Sequence, residues 1–149
     1  MKFGVRQVGI VWMTISIGFL TVGCSGSKLS QCADVIKVVN QTVTDTKTIT
    51  AGGTKGDIVT IEKLVTTFGK AAKDMESVNV DDEKLKGYKS QFVAMYRGAT
   101  EINQRLLIAI KEKKSTILYE ELRKSRKIFT PERTITQGIS EYCKNPESK

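Results

Sequence analysis

One apolar stripe dictates most of the architecture. Leu85, Tyr88, Phe92, Met95, Tyr96, Ala99, Ile102, Leu106, Ala109 and Ile110 recur every three or four residues, the period of one face of an α-helix. Other segments carry matching stripes. Cys32, Val35, Ile36, Val39 and Val43 repeat at helical spacing behind Ser30, a residue suited to an N-cap. Thr42, Thr44, Thr46, Thr48 and Thr50 alternate, which favours a strand by propensity. The opposite face would be Val43, Asp45, Lys47 and Ile49, no clean apolar stripe, so a helix with a weak C-terminal half is expected. The glycine-rich stretch 51–56 reads as a turn, and Asp57 caps a second helix with Ile58, Ile61, Leu64, Val65, Phe68, Ala71, Ala72 and Met75 on one face. Asp81 is expected to cap the third helix, and a turn is expected near Lys114 and Ser115. Ile117, Leu118, Leu122 and Ser125, then Ile135, Ile139 and Tyr142, form a fourth pattern interrupted by Thr130-Pro131-Glu132, a helix-start signature.

Four amphipathic helices with short links predict an all-α fold: an antiparallel up-down-up-down four-helix bundle, its fourth helix kinked or broken near Pro131. The bundle is expected to span residues 30–143, with a tail at 144–149.

The first residues have a different character. Lys2 and Arg6 precede an uncharged, almost wholly apolar run from Val8 to Leu20. Thirteen residues is too short for a membrane-spanning helix, which needs roughly twenty. It is the length of a signal-peptide core. Leu20-Thr21-Val22-Gly23-Cys24 follows, and small residues ending in Gly-Cys resemble the lipobox of bacterial lipoproteins. The resemblance implies cleavage before Cys24, acyl chains on that cysteine, and a tether at 24–29. Its leucine stands at Leu20, with Thr21 in the usual leucine place. Loss of residues 1–23 removes two bases and no acid, so the formal charge falls from +8 to +6. The expected location is the cell envelope, on the periplasmic face of a membrane.

If Cys24 is acylated, Cys32 and Cys143 remain of the three cysteines. An even pair in an oxidising compartment suggests a disulfide. An up-down bundle also places the start of its first helix and the end of its fourth at one end.

The sequence contains no histidine, which excludes Ser-His, Cys-His and histidine-metal chemistry. The acidic runs Asp81-Asp82-Glu83 and Glu120-Glu121 have successive side chains on different helix faces, and they read as caps and surface rather than metal cages. No enzyme activity, cofactor or metal is expected. Nucleic acid is not an expected partner, since the basic residues lack interleaved aromatics or a known module.

The sharper expectation concerns the end of the bundle away from the anchor. A third helix from about Asp81 to Lys114 would outrun a second from about Asp57 to Val78 by about 12 residues, or about 18 Å. Leu107 and Ile108 would then lie exposed, rimmed by Lys111, Lys113, Lys114, Arg123 and Arg126. Such a surface suits a partner or a second membrane contact; the alternative is a third helix that ends early and packs back, hiding both residues.

The words Val39-Asn40 after Cys32, Lys73-Asp74-Met75-Glu76, Tyr88, Phe92, Met95-Tyr96 and Tyr142-Cys143 resemble a group of small helical exported proteins of cyanobacteria, over most of the mature chain. The group brings no assigned activity. At the level of architecture, a lipid-anchored four-helix bundle is also similar to the PsbQ-like extrinsic subunits of photosystem II. The expected role is a non-catalytic, membrane-anchored bundle that binds or stabilises an envelope partner. The alternatives are a PsbQ-like accessory subunit of a photosynthetic complex and a small-ligand carrier using a bundle cavity.

Overall fold

Caps set the helix boundaries. A computed structural model describes residues 27–51 and 57–144. The segment expected to be a signal peptide, Cys24, the glycine-rich stretch expected to turn and most of the expected tail lie outside the described residues. α1 (Lys28–Ala51) starts ahead of the expected Ser30, because the Ser27 hydroxyl accepts the Ser30 N–H at 3.3 Å. Its threonine run stays helical: the hydroxyls of Thr42, Thr44, Thr48 and Thr50 each donate to the carbonyl four residues back. Asp57 caps α2 (Ile58–Ser77) as expected, accepting the Thr60 N–H at 2.7 Å. Asp82, not Asp81, caps α3 (Glu83–Lys111), accepting the Leu85 N–H at 2.9 Å.

α3 ends without a glycine. Lys113 adopts a positive φ of 55°. The Lys114 N–H then donates to the Ala109 carbonyl at 2.8 Å and the Lys113 N–H to the Ile110 carbonyl at 3.2 Å. This closes the helix in a Schellman motif. The fourth pattern is broken into α4 (Ser115–Ile128) and α5 (Glu132–Lys144). Pro131 disfavours helical backbone at Thr130 and has no N–H to continue the ladder.

α3 is the hub. α2 packs along it, α4 and α5 lie against it in turn, and α1 rests chiefly on α2 with lighter contacts to α5 and α3. The helices form the expected antiparallel bundle. Val35, Met75, Leu85, Phe92 and Ile139 are fully buried in its main core. A smaller cluster of Ile61, Ile102 and Leu106 fills the far end. Close approach fixes two positions: a Cβ on Gly138 would lie 2.9 Å from the Tyr88 hydroxyl, and one on Gly98 would lie 2.7 Å from Ile128 Cδ1.

The near end is stitched across the chain. Cys32 and Cys143 form a disulfide, Cα–Cα 5.9 Å, joining α1 to α5. The Tyr142 hydroxyl donates to the Asp82 carboxylate at 2.8 Å. The Gln31 side-chain oxygen accepts the backbone N–H groups of Asp81 and Asp82. Lys28 and Lys84 sit over the Tyr142 ring, a favourable contact of cation with π-face. No described helix is long and apolar enough to cross a membrane.

Candidate functional site

The far end differs from the sequence expectation in its register. Lys111 Nζ lies 3.2 Å from a Glu62 carboxylate oxygen, so the first turns of α2 reach the last turn of α3. Leu107 is half-buried against Ile61, Ile102 and Leu106. The overshoot of α3 is therefore at its other end: Glu76, in the last turn of α2, pairs with Arg97, midway along α3. Comparing helix lengths assumes that the two helices start level, and the non-helical link 78–82 lets α3 begin well past the end of α2.

Ile108 is exposed, as expected, and Lys111, Lys113, Lys114, Arg123 and Arg126 are exposed around this end. Lys114 pairs with Glu112 at 2.5 Å. Arg123 and Arg126 make no ion pair among the described residues. They share one face of α4 with two apolar residues. Tyr119, Leu122, Arg123 and Arg126 stand at i, i+3, i+4 and i+7, neighbours on a helix surface. Tyr119 is 73% exposed and Leu122 44%. The sequence reading passed over Tyr119, although its spacing to Leu122 and the arginines was visible.

The opposite face of α4 holds it to α3. Leu118 and Ile128 pack against the far-end cluster. Between them Glu121, buried, accepts from Arg105 Nε at 2.9 Å and from Lys124 Nζ at 2.6 Å. Burial pushes the Glu121 carboxyl up, but the hydrogen bonds and charges of Lys124 and Arg105 outweigh it and hold the pKa below the usual glutamate value.

The break at 129–131 has a second effect. α5 packs on both α1 and α3, whereas α4 packs on α3 and its backbone approaches neither α1 nor α2. Among the described residues the fourth position of the bundle is thus open beside the C-terminal half of α1. A cleft of about 300 Å³ occupies the gap and draws lining residues from all five helices. Leu64, Phe68, Tyr96 and Phe129 give it an apolar, largely aromatic wall. The Phe68 and Phe129 rings lie 5.4 Å apart between centroids. Burial pushes the Tyr96 phenol up to about 12, with the Thr42 hydroxyl beside it pulling the other way. Burial likewise raises the Glu132 carboxyl, which has no salt bridge among the described residues. Thr46 Oγ1 is buried there without a hydrogen-bond partner among the described residues.

Among the described residues no cluster of Cys, Asp and Glu could hold a metal ion. The surfaces offer recognition: an apolar and cationic helix face on α4, and a cleft with inward polar atoms behind it. Comparison with protein-family models, with curated proteins and with solved structures finds no match.

Proposed function

We propose that the chain is an exported lipoprotein, anchored through Cys24, whose helical bundle binds or stabilises a partner at the membrane without catalysing a reaction. The disulfide between Cys32 and Cys143 carries this reading. Such bonds persist in oxidising compartments and are rare in reducing ones. It accords with the order of basic, apolar and small residues that ends at Cys24. α1 is 24 residues long, about 36 Å at 1.5 Å per residue. The anchor would sit at its start, and the outer face of α4 would be held away from the lipid. Tyr119 and Leu122 supply apolar contact there, and Arg123 and Arg126 favour an acidic partner surface.

Expression of the full chain in a bacterium that processes lipoproteins, followed by intact-mass analysis of the membrane fraction, tests the reading. The expected species begins at Cys24 and carries acyl additions, and Cys24→Ala abolishes them and releases the chain from lipid. An unmodified chain in the soluble fraction would overturn it. A photo-crosslinker at Tyr119 should then capture one dominant membrane-associated protein, while the same group at the exposed Glu83, at the near end, does not. Capture of a photosystem subunit would select the PsbQ-like alternative.

A further inference from the structure

We propose that the cleft beside α4 binds a small organic cation, an ammonium group carried on a flat apolar body. The inference concerns a different surface from the α4 outer face and does not depend on the anchor. About 300 Å³ is at the lower end of the range of small-ligand sites, which are mostly apolar with a few convergent polar groups. The wall of Phe68, Tyr96 and Phe129 suits a ring, and aromatic faces attract cations.

The polar groups point to the sign of the charge. In the threonine run of α1, the hydroxyls of Thr42, Thr44, Thr48 and Thr50 are spent on their own helix. Thr46 departs from that pattern. Its hydroxyl oxygen is buried, lines the cleft and has no partner among the described residues. A buried hydroxyl without a partner is costly, and a ligand that bonds to it removes the cost. Glu132 lines the same cleft with its carboxylate unanswered by any cation among the described residues. An ionised carboxylate only accepts hydrogen bonds. An anion in the cleft would meet its repulsion, and a neutral group would leave its charge uncompensated. An ammonium group donates to both oxygens and neutralises the carboxylate. Lys47 also lines the cleft, but it is exposed and its flexible stem lets the charge remain in water.

Tryptamine, tryptophol and indole-3-acetate share one ring system and differ in head-group charge, so they test the assignment. Each is titrated into the full chain in detergent micelles, following the backbone amide resonances of Thr46, Ser125 and Glu132. Tryptamine should bind saturably and about tenfold or more tighter than either analogue. Thr46→Val and Glu132→Gln should each weaken it about tenfold with helicity unchanged by circular dichroism, and Thr46→Ser, which keeps the hydroxyl, should retain binding. Equal or tighter binding of tryptophol or indole-3-acetate would overturn the charge assignment. Shifts that do not saturate, or that survive both weakening substitutions, would overturn the site.

Discussion

Lys113 stands in the left-handed region at φ 55°, where a side chain is strained and glycine is not. The Schellman closure of α3 needs that backbone, and no glycine is present to supply it. Lys113→Gly is therefore expected to stabilise the protein by about 1 kcal/mol, read as a higher urea midpoint at unchanged slope. An unchanged or lower midpoint would show that the lysine side chain does more for the fold than its backbone costs. Leu107 and Ile108 form a second contrast between adjacent residues. Ile108 is 53% exposed, whereas Leu107 packs on the Ile61 cluster. Ile108→Asp should change stability by no more than about 0.5 kcal/mol, and Leu107→Asp should cost about 2 kcal/mol or more. Similar losses for the two would refute the register in which α2 reaches Lys111.

At the scale of elements, α4 depends on one buried carboxylate. Glu121→Ala takes the buried carboxylate from Lys124 and leaves Arg105 only its longer pair with Glu101 at 3.8 Å, and it should cost about 2 kcal/mol, a value held down because both cations are half exposed. Glu121→Leu, which replaces the ion cluster with packing, should cost less. The same cluster sets a response to acid. A carboxyl with a depressed folded pKa contributes stability that is complete above its unfolded value and is lost as pH falls through the folded one. Protection of the α4 amides, measured against the intrinsic exchange rate at each pH, should therefore fall as acid takes the native protein below the usual glutamate pKa, and Glu121→Gln should remove that step. The existence of α4 and its break from α5 were legible, because helical periodicity and Thr130-Pro131-Glu132 are local signals. The Cys32–Cys143 pairing was legible from cysteine parity and up-down topology together. The register of α2 on α3 was not, since it depends on the non-helical link 78–82, whose residues announce no particular geometry. Nor was the departure of α4 from α1. Thr46 looks like its neighbours in the sequence, and only packing separates its hydroxyl, unpaired among the described residues, from the four paired ones.

At the scale of the whole molecule, the disulfide closes a loop with a sequence separation of 111 residues. The chain-entropy model assigns such a loop about 4–5 kcal/mol. Replacing Cys32 and Cys143 by serine together should lower unfolding stability by about that much, measured by denaturant titration of non-reduced protein. A loss under about 1 kcal/mol would mean that the hydrogen bonds of Gln31, Asp82 and Tyr142 hold the near end on their own. The same bond also decides where mechanical tension runs. Force applied between the N-terminal side of Cys32 and the C-terminal side of Cys143 enters one sulfur and leaves by the other. The helices between them then carry no load, however hard the ends are drawn apart. In a single-molecule pulling experiment the oxidised chain should lengthen only by its terminal segments, and added reductant should release the enclosed bundle as one further extension.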